Sequence, residues 1–192
     1  YPSEKLAVNV LVESDDRATR DELARLRHAY AFREIVVPPA YPGARNKPRA
    51  LDYGFAHTDG DVVGVLDAED VVEPHLFRQV VAALFDGGHD YAQGKLDMRN
   101  EGDGLLNTIF RGEYGLWYGF VIPSFFRVGY PVPLGGTTNF FHRSVLAAIA
   151  MERSRRFGSP WSPGDAERLA DRLEPVDVPW DPRNVTEDFE LG

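Results

Sequence analysis

Val62-Val63-Gly64-Val65-Leu66 runs directly into Asp67-Ala68-Glu69-Asp70, and the reading of this stretch decides the fold. An apolar run with no polar alternation reads as a strand buried on both faces, as at the centre of a parallel sheet. Three carboxylates then appear within four residues at the strand's carboxyl end. In open α/β sheets ligands bind beyond that end of the strands. Carboxylate oxygens are hard donors that suit Mg²⁺ or Mn²⁺, and such an ion can bridge a diphosphate and stabilise the charge of its departure. The same triplet also reads as a strand-end turn with solvated acids and an Asp capping the next helix.

Working outward, the flanks repeat the pattern. Residues 6–12 (LAVNVLV) read as a buried strand that ends in a second acidic cluster, Glu13-Ser14-Asp15-Asp16. A helix over 19–30 follows, with Leu23, Leu26 and Tyr30 on its inner face. Residues 34–37 form a short strand closed by Pro38-Pro39. A helix over 48–57 starts with proline in its first turn and turns Ala50, Leu51, Gly54 and Phe55 inward. Beyond the acidic triplet, 74–85 read as a helix with Leu76, Val80 and Ala83 or Leu84 facing the core. This alternation predicts an α/β fold with a mostly parallel central sheet flanked by helices. Further on, the sequence suggests a strand over 90–98, an aromatic helix over 104–118, a loop and strand over 131–141, and short helices over 144–150 and 164–173.

Composition bounds the function. The chain has 192 residues, 43% of them hydrophobic and 27% charged, which suits one globular domain. Its net charge of −9 argues against nucleic acid, because phosphate contacts need clustered Lys and Arg. It does not exclude a phosphorylated small molecule whose charge a metal balances. The absence of cysteine excludes disulfides, thiolate zinc sites and cysteine nucleophiles. No apolar run reaches the length of a membrane span.

Three further stretches carry possible chemistry. Lys47, in Asn46-Lys47-Pro48-Arg49, stands at a helix N-terminus, a place that favours phosphate; it also reads as an exposed Lys before an ordinary helix. Gly135-Gly136-Thr137-Thr138 combines close backbone approach with hydroxyls able to bond a sugar, or is a tight turn entering a strand. In Asn184-Val185-Thr186-Glu187-Asp188, Asp188 can serve as a general base, while Thr186 and the acids also fit a capping box. The aromatics Tyr114, Trp117, Tyr118, Phe120, Phe125, Phe126 and Tyr130 could stack on sugar or sit at a membrane interface; core packing is the favoured reading.

Taken together and in order, four phrases resemble the family 2 glycosyltransferases, in particular the cellulose-synthase-like and hyaluronan-synthase-like branch: YPSEKLAVNVLVESDD (1–16), NKPRALDYGFAHTDGDVVGVLDAEDVVEP (46–74), PLGGTTNFFHRSVL (133–146) and WDPRNVTEDFELG (180–192). The resemblance implies a GT-A fold, a nucleotide-diphosphate sugar donor, and inversion at the anomeric carbon by a single in-line displacement. It implies that Asp67 and Glu69 stand in the family's D-x-D, with Asp70 as a further metal ligand, and that a divalent metal (Mg or Mn) is the cofactor. It gives Lys47 a donor-side role, Glu13 and Asp15 the base and ribose, and Gly135, Gly136, Thr137 and Thr138 the acceptor side. Asp188, with Glu187, closes the T-E-D motif and is the implied catalytic base. The acids at 13–15, 67–70 and 188 are then expected to line one cleft.

The resemblance also sets out what this chain departs from. The second D-x-D position is Glu69. The family's first strand would precede Tyr1, its Q-x-x-R-W motif would follow Gly192, and 151–179 reads as an insertion within a single, truncated catalytic domain spanning 1–192. The expected partners are a nucleotide-diphosphate sugar and a saccharide or lipid-linked acceptor, not nucleic acid. The parent protein is expected at the cytoplasmic face of the cell membrane, held there by segments outside this chain. Two other readings stay open: a nucleotide-sugar-binding module without turnover, and a sugar nucleotidyltransferase.

Overall fold

The computed structural model describes residues 1–97, 104–172 and 175–183. The chain divides into two compact units, Tyr1–Val63 with His142–Glu187, and Gly64–Phe141 with Asp188–Gly192.

The first unit opens with a 3₁₀ turn, Ser3–Lys5, that the sequence reading did not anticipate. Strand β1 (Asn9–Glu13), helix α1 (Arg17–Leu26) and strand β2 (Arg33–Val37) then form a strand–helix–strand crossover. β1 and β2 pair in parallel, from Asn9 opposite Arg33 to Glu13 opposite Val37. A parallel pair needs such a crossover, because no tight turn can return the chain to the same end. α1 begins earlier than its apolar spacing suggests because Asp16 caps it, accepting from the Thr19 N–H at 3.1 Å. Of its expected inner face only Leu23 is buried; Leu26 and Tyr30 are exposed.

Helix α2 (Lys47–Ala56) is capped by Asn46, whose side chain accepts from the Arg49 N–H at 3.1 Å. Its buried residues are Pro48, Arg49, Asp52 and Gly54, so two charged side chains occupy the stripe assigned from sequence to Ala50, Leu51 and Phe55. Gly54 belongs there for space: a Cβ would lie 2.7 Å from the Leu11 side chain. Helix α6 (Arg143–Phe157) is twice the expected length, and α7 (Pro163–Asp171) follows with Ser162 as its cap. The core of this unit is Val37, Tyr41, Trp161, Leu169 and Val178. Three of those five come from the stretch read as an insertion, so that stretch is an integral part of the packing.

The second unit is built on a three-stranded sheet in the order β3 (Val62–Val65), β5 (Asn139–His142), β4 (Tyr91–Gln93). β4 and β5 are antiparallel, with Ala92 opposite Phe140. The α/β class expected from sequence is therefore present, with parallel pairing in the β1–β2 sheet of the first unit and an antiparallel pair, β4–β5, in the sheet of the second. Helix α3 (Leu76–Val81) widens into a π turn over Ala82–Asp86 and buries Val80 and Leu84 as anticipated. Gly64 leaves room for the Phe140 ring, whose edge would lie 2.5 Å from a Cβ there.

Helix α4 (Leu105–Leu116) passes through a π turn, Trp117–Val121, into α5 (Ile122–Arg127). Pro123 has no N–H and its ring would crowd the preceding turn of an α-helix; the wider π turn accommodates it. α4 buries none of its residues, and along the whole run Tyr118 is the one buried aromatic, while Trp117, Phe120, Phe126 and Tyr130 are exposed. Core packing, the favoured reading of these aromatics, thus holds for Tyr118 and fails for those four. The buried residues of the unit include Val80, Leu84, Phe140 and Phe141 beside Tyr118. Among the described residues no helix is long and apolar enough to cross a membrane.

Candidate functional site

The two acidic strand ends expected from sequence are both present, one in each unit. In the first unit Glu13 is the last residue of β1. Its Oε1 accepts from Arg49 Nη1 at 2.5 Å, and its Oε2 is buried with no hydrogen-bond partner. Arg49 is 1% exposed. Its Nε donates to the Pro42 carbonyl at 3.1 Å, and its Nη2 to the carbonyls of Pro38 and Tyr41 at 3.0 and 2.7 Å. One guanidinium thereby fixes the loop after β2 and orients Glu13, using the planar fork of donors that only Arg supplies. Asp15 lies exposed in the turn after β1 and pairs with Arg45, whose hydrogen bond holds the Asp15 carboxyl below its ordinary range. Lys47 is half-buried as the first residue of α2.

On the buried side of α2, Asp52 is 1% exposed. Burial pushes its pKa well above the ordinary carboxylate value; the Trp180 N–H and the charge of Arg153 oppose this only in part. An acid raised in this way contributes its full stability below its unfolded pKa and loses it as pH rises through the folded one. Asp52→Asn keeps an acceptor for Trp180 and removes the titration. The variant should therefore match the parent near pH 4 and gain on it as pH rises above the ordinary carboxylate range, by up to about 1.4 kcal/mol per pH unit until the parent's Asp52 ionises. Parallel thermal unfolding of both proteins across that range tests it; a difference independent of pH would show that Asp52 ionises as freely as in the unfolded chain.

In the second unit the acidic turn after β3 is tied to the Gly-Gly-Thr-Thr loop. The Asp67 N–H donates to Asp70 Oδ2 at 3.0 Å and to Thr137 Oγ1 at 2.9 Å, and the Thr137 hydroxyl donates to Asp70 Oδ2. Asp70 therefore closes its own turn and grips Thr137, instead of capping the next helix. Asp67 is half-buried and Glu69 exposed. Among the described residues no three Asp, Glu or His side chains form a metal-holding group.

The loop itself is shaped by neighbours in its own unit. A Cβ on Gly135 would lie 2.2 Å from the Tyr118 hydroxyl, so this glycine admits a phenol. Gly136 is exposed, and Thr137 and Thr138 are buried. Thr138 has φ of 58°, the one positive value at a non-glycine among the described residues. A β-branched residue held there stores about 1–3 kcal/mol, and such strain clusters where a ligand is gripped. Gly94 makes the conformation possible, donating its N–H to the Thr138 carbonyl at 2.8 Å. Its missing Cβ would lie 2.3 Å from the Thr138 methyl.

Glu187 and Asp188 lie outside the described residues, and with them the expected convergence of Asp188 on the other acids. Sequence reasoning passed over Arg49, Asp52 and Arg153. The available signal was two charged residues, at 49 and 52, at helical spacing on the side of α2 that carries Gly54.

A family model described as "Glycosyltransferase like family 2" matches residues 1–192. A probable glycosyltransferase of Bacillus subtilis (strain 168), YdaM, is 28% identical over 114 residues, which are 59% of this chain and 27% of that protein. The β-1,4-mannosyltransferase egh of Drosophila melanogaster is 32% identical over 101 residues, 48% of this chain and 21% of that protein. The chain thus spans about a quarter of the length of these curated relatives. Among solved structures, glucosyl-3-phosphoglycerate synthase of Mycobacterium tuberculosis in complex with uridine diphosphate aligns with a TM-score of 0.43 and 19% identity, over 78% of this chain and 55% of that one.

Proposed function

The chain belongs to glycosyltransferase-like family 2, and from that premise we propose that it carries the donor-handling residues of an inverting hexosyltransferase of the cellulose-synthase-like and hyaluronan-synthase-like branch. Membership makes it part of a transferase enzyme with the GT-A α/β fold of nucleotide-sugar transferases. The observation that carries the further reading is the bond from Thr137 to both the Asp67 N–H and the Asp70 carboxylate. It holds the acidic strand end and the Gly-Gly-Thr-Thr loop together, as the diphosphate and acceptor sides of one reaction require.

Glu13, oriented by Arg49 at the end of β1, and Asp15 in the turn after it meet the N–H and O–H groups of the donor's base and ribose. Lys47, at the amino end of α2, meets the diphosphate with its own charge and the helix dipole. Mg²⁺ takes one or two protein carboxylates and completes its shell with phosphate and water. Asp67 and Glu69 fit that requirement, with Asp70 engaged in the turn. Such an ion, held there, would neutralise charge on the departing diphosphate. Gly136 and Thr138 present the acceptor. The Asp188 carboxylate takes the proton of the acceptor hydroxyl as its oxygen bonds to the anomeric carbon. The bond from that carbon to the diphosphate breaks, and the electron pair leaves with the nucleoside diphosphate. Holding both reactants in line supplies much of the acceleration.

Calorimetry with UDP and GDP tests the site, with turnover followed as nucleoside-diphosphate release from a panel of UDP- and GDP-hexoses. Mn²⁺ is expected to tighten one of the two nucleotides by about tenfold, or 1.4 kcal/mol, in the parent and not in Asp67→Asn. Equal affinity with and without Mn²⁺ in both proteins would remove the metal from the reading. Nucleotide binding with no release from any hexose would leave a binding module.

A further inference from the structure

Along the aromatic helix of the second unit runs an open cavity of about 470 Å³, lined by Glu113, Tyr114, Leu116, Trp117, Tyr118 and Val121. Glu113 and Trp117 stand one turn apart on the helix, and Tyr114 and Tyr118 form the neighbouring row. Burial grades across these residues. Glu113 is exposed, Trp117 is 37% exposed, Tyr114 is half-buried and Tyr118 is 8% exposed. The rings of Tyr114 and Tyr118 lie 5.8 Å apart between centroids, tilted by 33°. The cavity therefore opens to solvent at Glu113 and Trp117 and closes on Tyr118. The Tyr118 hydroxyl abuts Gly135, where a Cβ would lie 2.2 Å from it. One residue thus walls both the cavity and the Gly-Gly-Thr-Thr loop.

The lining selects among occupants. Small-molecule sites of about 300–1,000 Å³ combine aromatic walls with a few placed polar groups. Here the walls are three rings and the polar group is the Glu113 carboxylate. A lipid tail or an apolar side chain over this groove would strip water from that carboxylate and return no hydrogen bond. An anionic lipid surface would repel it as well, and so would a phosphate on the occupant. A neutral pyranose meets both demands. Its C–H face lies flat on an aromatic ring, and its hydroxyls donate to the carboxylate.

We infer that this groove is a saccharide subsite: a neutral sugar ring of the acceptor stacks on Trp117 and Tyr114, donates a hydroxyl to Glu113, and is led along Tyr118 toward the Gly135–Thr138 loop. The inference rests on the reading of that loop as the acceptor side. It narrows the acceptor to one that carries a neutral sugar ring.

Trp117 reports its own occupancy, because the other two tryptophans, Trp161 and Trp180, are 7% and 2% exposed. Titration with neutral tetrasaccharides of glucose, mannose and N-acetylglucosamine is expected to shift the tryptophan emission with at least one of them. Calorimetry with that saccharide is expected to show binding about tenfold weaker in Trp117→Ala, and within about threefold of the parent in Trp117→Phe, which keeps a ring. Glu113→Leu should weaken it about fivefold. With the same saccharide as acceptor, Trp117→Ala should raise its KM for nucleoside-diphosphate release about tenfold, with kcat and the Kd of UDP or GDP within about twofold.

No emission shift with any saccharide overturns the inference; a shift with phosphatidylcholine–phosphatidylglycerol vesicles instead assigns the groove to a lipid surface. Equal saccharide affinity in the parent and Trp117→Ala places the sugar elsewhere and also overturns it. If the saccharide then still stimulates release with parental KM, the acceptor reading of the loop stands without this groove. Binding that depends on Trp117 while no saccharide stimulates release upholds a saccharide groove and overturns the acceptor reading. Should Trp117→Ala fail to fold, Glu113→Leu decides alone.

Discussion

Replacing Asp188 by Asn is expected to all but abolish sugar transfer, with kcat lower by about 10²–10⁴-fold, while UDP or GDP affinity changes by less than about threefold. The substitution keeps the side chain's size and its capacity to bond an acceptor hydroxyl. It removes only the ability to take a proton. General-base catalysis contributes about 10²–10⁴-fold, and without it a neutral hydroxyl must attack the anomeric carbon. Without the base, positive charge builds on the acceptor oxygen as its bond forms, and the proton leaves to water only afterwards, which raises the barrier. The measurement is nucleoside-diphosphate release in the presence of acceptor, set beside calorimetric Kd values for the same preparations. Glu187→Gln, a change at the neighbouring acid, should fall less. An Asp188→Asn protein that turns over at the parental rate would require another base. One that has lost nucleotide affinity as well would show that Asp188 supports the fold.

The second large effect is on stability. Arg49→Met is expected to destabilise the protein by about 3–5 kcal/mol, the range for removing one partner of a buried ion pair. The thioether fills much of the same space but donates nothing. Glu13 then keeps a charge with neither oxygen paired, and the carbonyls of Pro38, Tyr41 and Pro42 lose their shared donor. Arg49→Lys should be only partly better, since a single ammonium cannot reach acceptors spread around a planar fork. Urea unfolding at pH 7 measures both. The double variant Arg49→Met with Glu13→Leu should be less destabilised than the sum of the single changes, because the orphaned carboxylate is gone. Strict additivity would mean that the two side chains act independently.

The alternation of strands and helices was legible because a buried strand and an amphipathic helix are local patterns. Residues 62–66 announced β3 by their unbroken apolar run, though not its place: β3 ends the order β3-β5-β4 and only Val65 of it is buried, because the run marks strand propensity and not which neighbours cover the faces; the acids at Glu13 and Asp67 could be assigned to strand ends from the same pattern. What was not legible depends on partners distant in the chain. Arg49 and Asp52 look like surface charges until the loop carbonyls and Trp180 arrive to satisfy them. Thr137 reads as a sugar-binding hydroxyl until Asp70 is seen to take it. The aromatic helix misled in the opposite direction: its spacing shows that one face is apolar and says nothing of what covers that face. Trp161, Leu169 and Val178 were hidden by the Pro and charged residues around them, although they build the core of the first unit.

Gly94 and Thr138 compete for one small volume, since the methyl of the threonine sits where a glycine Cβ would be. The two positions are therefore not free to drift separately. A lineage that acquires a side chain at 94 has to surrender the methyl at 138 in the same step or pass through a less fit intermediate. Within this family, substitutions at these two sites should arrive as pairs, and a hybrid assembled from two parents that differ at both should fail unless it inherits both from one.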